Sequence, residues 1–250
     1  MARSHPWYLV LRRCPDPRLT LYGLHCAGGG PSMFRTWADH LPEGVELRAV
    51  RLPGRPGRHR EEPFTDVDRA VEALLDGLGP ELGGRYVLAG HSMGAMLAYR
   101  LTHELRRRGA PLPVLLAVMS WPPRGAARRV MPDPDDDTAF ASDLRRIGGV
   151  PDELFADPVM LERSLPVVRA DFRLCRGYAY RAVAPLDVPV IAFNGDADTV
   201  TPPGTLRDWH AETTDFRGLH LFPGGHFFLN DHAPALIDLI VEAAGHAVPR

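Results

Sequence analysis

Apolar residues fall along the chain in short unbroken runs, separated by stretches in which they return every third or fourth position. The first clear run is Leu19–Leu24, read as a buried strand. It leads into His25-Cys26-Ala27-Gly28-Gly29-Gly30, a loop that can bring backbone amides close to a ligand. A helix is predicted through Phe34, Trp37 and Leu41, then a strand over 45–52 and a turn at Pro53-Gly54. A second helix is predicted from Asp66, with Val67, Ala70, Val71, Leu74 and Leu75 on its apolar face. Tyr86-Val87-Leu88-Ala89 is the next strand, and the helix behind it carries Leu97, Leu101 and Leu105, with Arg106-Arg107-Arg108 in its last turn and Gly109 as its cap. Further strands follow over 114–119, 188–193 and 219–222. This alternation predicts an α/β domain, a mainly parallel sheet with helices on both faces.

The rhythm breaks over 121–181, which holds Pro122-Pro123, an acidic run at 133–137 and two amphipathic segments, around 140–147 and 161–180, without a strand. It reads as a helical lid inserted between sheet strands, against the plainer alternative of surface helices that thicken the fold. The acidic run lacks the ligand spacing of a calcium loop and is read as a charged helix N-terminus, so no metal is assigned.

A chain of 250 residues with no shift in composition suits one domain with an insertion. Net charge of −2 gives no basic field for nucleic acid. All 29 basic residues are arginine, which excludes an internal Schiff base and a Walker-type phosphate loop, since both need lysine. Cys14, Cys26 and Cys175 are odd in number and widely spaced, as expected of reduced thiols in the cytoplasm. Neither an export signal nor a run of membrane-spanning length is expected.

The chemistry is written in Gly90-His91-Ser92-Met93-Gly94, a serine between glycines at a strand-to-helix turn, the pattern of a nucleophile elbow. A serine hydroxyl is a weak nucleophile at neutral pH and needs a base, which in turn needs an orienting acid. Asp198 follows the 188–193 strand, where the carboxyl ends of a parallel sheet gather functional groups, with Asp196 as a competitor in the same loop. His226 follows the next strand in Pro223-Gly224-Gly225-His226. His210, His220, His232 and His246 have helical, strand or terminal settings, and His91 is held beside the serine with its ring directed elsewhere. The oxyanion of acyl transfer needs donors already in place; the Met93 amide is one and Ala27 is the best candidate for the other. The glycine loop lacks a dinucleotide fingerprint, and no cofactor is expected.

These motifs resemble the α/β-hydrolase superfamily and, within it, the stand-alone type II thioesterases that edit polyketide and non-ribosomal peptide synthases. The resemblance spans nearly the whole chain. It rests on Ala27-Gly28-Gly29, Leu52-Pro53-Gly54-Arg55, the elbow through Ala95, Leu144-Arg145-Arg146-Ile147-Gly148-Gly149, the phrase from Leu165 to Phe172 that includes Ala170-Asp171, and Pro223 to Phe228. It implies an α/β-hydrolase fold and hydrolysis of aberrant or stalled acyl groups from the phosphopantetheine arm of a carrier protein, through an acyl-serine intermediate. On that resemblance Ser92, Asp198 and His226 form the triad, and Met93 and Ala27 the oxyanion hole.

Cys26 and Ser120-Trp121-Pro122-Pro123 depart from the family pattern, which bears on pocket shape rather than on the reaction. A thiolate leaving group, with a pKa of about 8.5 in model side chains, asks less general-acid help than an alkoxide. Carrier proteins are usually acidic, and Arg124, Arg128 and Arg129 could meet one. The alternatives are a carboxylesterase or lipase with the same triad, a chain-releasing thioesterase domain, which would carry an upstream synthase linker, and a non-catalytic hydrolase-like receptor.

Overall fold

The apolar runs satisfy their backbone groups by pairing with one another, and they assemble into one seven-stranded sheet. The computed structural model describes residues 5–125, 131–147 and 158–245. The strands are β1 (Tyr8–Arg12), β2 (Leu19–Leu24), β3 (Val45–Val50), β4 (Tyr86–His91), β5 (Leu115–Met119), β6 (Val190–Gly195) and β7 (Phe216–Phe222). Their order is β1-β3-β2-β4-β5-β6-β7, with β1 antiparallel to β3 and every other pairing parallel. The order reverses between β2 and β4, and the crevice beyond the carboxyl ends of those two strands is where open parallel sheets gather ligands.

Helices cover both faces, which is why the inner strands read as continuous apolar runs. Alternate residues of β4 serve different cores. Tyr86 and Leu88 pack with α1 (Val67–Leu78) and α2 (Met93–Arg107), while Val87 and Ala89 pack with α5 (Ala233–Ala243) and the turns after β2. α1 opens where expected, with the Asp66 carboxylate accepting from the Arg69 amide at 2.9 Å, and it buries Val67, Ala70, Val71, Leu74, Leu75 and Leu78.

The structure departs from the sequence reading in several features. The segment around Phe34 and Trp37 is not one helix but two short 3₁₀ turns, Pro31–Phe34 and Thr36–Asp39, each a single turn used to seat one aromatic ring. Those rings meet edge to face, with centroids 5.2 Å apart. β1 has no counterpart in the expectations, because a half-buried edge strand has only one face to mark with apolar residues. The closing helix α5 was likewise not expected.

The chain between β5 and β6 contains α3 (Phe140–Arg146) and α4 (Pro158–Gly177). Phe140 and Phe172 join them edge to face at 5.7 Å. The acidic run does not act mainly as a helix terminus. Asp136 accepts from the amides of Thr138 and Ala139, but Asp133, Asp135 and Asp137 pair with Arg176, Arg173 and Arg169 on one face of α4. Of the motif residues read from the sequence, Arg128, Arg129, Gly148 and Gly149 lie outside the described residues.

Phe34 is fully buried, and its ring fills the space over Gly23, where a Cβ would lie 2.8 Å from it. Phe34→Ala is expected to lower unfolding stability by about 3–5 kcal/mol. Urea titration checks this, as a lowered midpoint with an unchanged slope.

Candidate active site

Ser92 ends the turn between β4 and α2 with φ 53° and ψ −118°, a left-handed backbone uncommon for a residue with a side chain. Such a conformation costs on the order of 1–3 kcal/mol and persists only where its surroundings over-determine it. Here the Ser92 amide donates to Met119 O at 2.8 Å, and Ser92 O accepts from the amides of Ala95 and Met96. The flanking glycines are required by space. A Cβ on Gly94 would lie 2.0 Å from Leu24 O, and one on Gly90 would lie 2.3 Å from Gly94 O.

The loops after β6 and β7 bring the expected acid and base into contact. His226 Nδ1 lies 2.8 Å from Asp198 Oδ2, and Asp198 Oδ1 accepts from the amides of Val200 and Thr201, each at 2.9 Å. Burial alone would raise the Asp198 pKa, but the hydrogen bond and charge of His226 and the two amides outweigh it and hold the carboxyl low. An ionised carboxylate only accepts, so Nδ1 donates its proton to Asp198 and the other ring nitrogen, Nε2, is the one available to the serine. Asp196 does different work in the same loop, accepting from the Gly224 amide at 3.0 Å on the surface. The two loops can approach because Gly195 has no side chain, and a Cβ there would lie 2.2 Å from Gly225 O.

Ser92, His226 and Ala27 line one cavity of about 30 Å³, walled by Trp121, Met131, Ile147, Phe172 and Cys175. It has room for only one or two waters. Among the described residues no hydrogen bond joins the Ser92 hydroxyl to the ring. Such contacts are commonly loose in free enzymes and tighten with substrate. A larger concavity of about 510 Å³ lies between α1 and α2. Its Arg100 and Arg181 are already paired with Asp68, and Arg107 and Arg108 with Glu104, so it offers neither a nucleophile nor an open charge cluster.

The two expected amide donors have separate settings. Met93 is the first residue of α2, so its N–H has no partner within the helix and lies at the positive end of the helix dipole. The Ala27 amide shares a trans peptide unit with Cys26 C=O, so the two point in opposite directions. Cys26 O accepts from the Gly29 amide at 3.1 Å and from His25 Nδ1 at 2.8 Å, which turns the Ala27 N–H away from the loop interior.

Several supporting residues escaped the sequence reading. Ser120 Oγ donates to Asn194 Oδ1 at 2.8 Å, Asn194 Nδ2 donates to Thr201 O at 2.7 Å, and Thr201 Oγ1 donates to Ser120 O at 3.0 Å. This closed, buried ring ties the loop after β5 to the acid loop. The one hint was Asn194, a polar residue ending an apolar run. His91 Nε2 donates to His226 O at 2.7 Å. Burial, then the neighbouring His226 charge, pushes the His91 pKa down to about 3; burial, then Arg55, does the same for His25. Burial lifts the Cys26 thiol to about 12, which leaves it inert beside the serine.

A family model described as a thioesterase domain matches residues 19–243. Among characterised proteins, the chain is similar to the gramicidin S biosynthesis protein GrsT of Aneurinibacillus migulanus, 29% identical over 97% of this chain and 95% of that protein. Among solved structures it is similar to the type II thioesterase BorB from the borrelidin cluster, with TM-score 0.85 and 30% identity over 98% of this chain and 100% of that one. It is also similar to the RedJ thioesterase of the prodiginine pathway in Streptomyces coelicolor, with TM-score 0.80 and 38% identity over 90% of this chain and 86% of that one. These neighbours share the α/β-hydrolase fold.

A fluorophosphonate probe is expected to label Ser92, and mass spectrometry locates the adduct. Asp198→Asn is expected to slow labelling by up to about 10⁴-fold by presenting the wrong tautomer of His226. His25 and His91 are neutral in the fold but take up protons near pH 6.5 once unfolded. Stability is therefore full above pH 6.5 and falls toward about pH 3, by roughly 1.4 kcal/mol per pH unit for each ring. Urea unfolding at pH 7.5 and pH 5.5 checks this, with His91→Asn expected to reduce the dependence by about one proton.

Proposed function

The chain belongs to the thioesterase domain family, and from that premise we propose that it hydrolyses stalled or aberrant acyl groups from the phosphopantetheine arm of carrier proteins, as an editing enzyme of polyketide or non-ribosomal peptide synthesis. The observation that carries this reading is the Asp198–His226 hydrogen bond, facing a cavity shared with the elbow serine. The names of its relatives, drawn from gramicidin S, borrelidin and prodiginine biosynthesis, support the setting.

In this reading His226 Nε2 takes the proton of Ser92 Oγ as the oxygen attacks the thioester carbonyl. Asp198 keeps the imidazole in the required tautomer and stabilises the imidazolium. The carbonyl oxygen gathers charge toward the amides of Met93 and Ala27, each worth on the order of 3 kcal/mol of barrier. The carbon–sulfur bond then breaks, the thiol leaves with the proton from His226, and acyl-Ser92 remains. Water activated by the same ring cleaves the acyl-enzyme and regenerates the hydroxyl.

α3 and α4 serve as a lid. The cavity is small, about 30 Å³, so a long acyl group must displace wall residues such as Met131, Ile147 or Phe172 further than a short one does. Arg124, exposed over the Tyr180 ring and 3.9 Å from Asp208, is a point where an acidic carrier can dock. Free Cys14, Cys26 and Cys175 suit a reducing cytoplasm. No helix among the described residues is long and apolar enough to cross a membrane.

Hydrolysis of acetyl- and propionyl-carrier is expected to exceed that of decanoyl-carrier, and acyl thioesters to exceed oxygen esters of equal length. Faster turnover of oxygen esters would return the carboxylesterase reading. A preference for long mature chains would overturn the editing role. Absence of both turnover and Ser92 labelling would point to a receptor.

A further inference from the structure

Two phrases singled out in the sequence, Leu52-Pro53-Gly54-Arg55 and the one containing Asp171, take no part in the chemistry above. They meet in space. Arg55 Nη2 and Asp171 Oδ2 form an ion pair across 116 positions of sequence, with side chains only 3% and 2% exposed. Both partners also reach the backbone of the oxyanion loop. Asp171 Oδ2 accepts from the Gly28 amide at 2.7 Å, while Arg55 Nε donates to Gly29 O at 3.2 Å and Nη1 donates to Pro53 O at 3.0 Å.

Burying two charges carries a desolvation cost that a pair of apolar residues would avoid, so stability alone is a weak reason for such a pair. Its geometry supplies a better one. The Gly28 N–H and Gly29 C=O bracket the peptide unit between those residues, and both are held by charged groups. That unit contains the Gly29 N–H, which donates to Cys26 O and so helps direct the Ala27 amide on the other side of the Cys26–Ala27 peptide. Asp171 lies on α4 immediately before Phe172 and one turn before Cys175, both residues of the cavity wall. One carboxylate therefore touches the turn that aims a donor and belongs to the helix that shapes the pocket.

We propose that Arg55 and Asp171 are positioning residues that hold the 26–29 turn so that the Ala27 amide faces the oxyanion, and that they couple this donor to the seating of α4. An acyl group that displaces α4 then also misdirects the donor, so the pair turns a poor fit in the pocket into a slow reaction. The proposal rests on the acyl-transfer reading of Ser92 and adds a means of discrimination to it.

The test uses Asp171→Asn, which keeps size but loses charge, Arg55→Lys, which keeps charge but loses the fork, and the apolar double variant Arg55→Met/Asp171→Leu. Each is assayed on a propionyl thioester, on the matching p-nitrophenyl ester, and for inhibition by a boronic acid that mimics the tetrahedral intermediate. On both esters kcat is expected to fall up to about 100-fold with KM nearly unchanged, and boronate affinity to fall by the same factor. A variant that melts like the wild type yet keeps kcat and boronate affinity within about threefold overturns the proposal. In the wild-type protein, which needs no variant to fold, amide exchange at Gly28 is expected to be at least about 100-fold slower than in an open chain; exchange at the open-chain rate also overturns it. If wild-type enzyme cleaves the aryl ester but no thioester, the editing assignment fails while the aryl ester and boronate still decide the positioning role.

Discussion

Helix α2 starts against the last carbonyl of β2, and a hydrogen atom is all that fits between them. A Cβ on Gly94 would come within 2.0 Å of Leu24 O, so the helix seats there only because Gly94 has no side chain. That contact gathers the serine hydroxyl, the first free amide of α2 and the turn following β2 into one crevice. It also helps hold Ser92 in its left-handed backbone, since the helix cannot retreat without uncovering the Leu97, Leu101 and Leu105 face that it buries. The strain is local, whereas the forces that maintain it are spread over a whole helix–sheet interface.

The base and acid depend on a different device. They come from loops after β6 and β7, and these loops are fixed by buried polar groups that satisfy one another. Ser120, Asn194 and Thr201 close a ring of hydrogen bonds behind Asp198, and His91 fastens the backbone of His226 from the residue just before the nucleophile. Each group, left unpaired in this dry interior, would carry a penalty of roughly 1–3 kcal/mol, so the ring tends to hold as a unit. Burial keeps His91 neutral, and its Nε2 is committed to the His226 carbonyl.

Charge is distributed unevenly in purpose. Many arginines meet carboxylates at the surface, where ion pairs contribute little, and the run from Asp133 to Asp137 laces a loop to α4 in this way. Arg55 and Asp171 are the exception, a pair removed from water at the point where the inserted helix meets the oxyanion loop. The insertion is thus laced together by screened surface pairs and an edge-to-face pair of rings, and it is tied to the oxyanion loop by a pair removed from water.

Local pattern determined a good deal. Unbroken apolar runs meant a sheet buried on both faces, Asp66 marked the start of α1, and glycine on either side of Ser92 meant a turn with no space for side chains, because each of these depends on neighbours a few positions away. The order of Ser92, an aspartate and His226 was legible for the same reason, since each follows its own strand. Other features needed the assembled fold. Asp196 and Asp198 are equivalent as letters, and only the approach of the β7 loop gives one the imidazole and the other a surface amide. The edge strand β1 and the 3₁₀ turns at Phe34 and Trp37 were hidden because one buried face or one seated ring leaves too short a period to read. The meeting of Arg55 with Asp171 spans 116 positions, and a contact between charges so far apart is decided by how helices pack on a sheet, which no local pattern encodes.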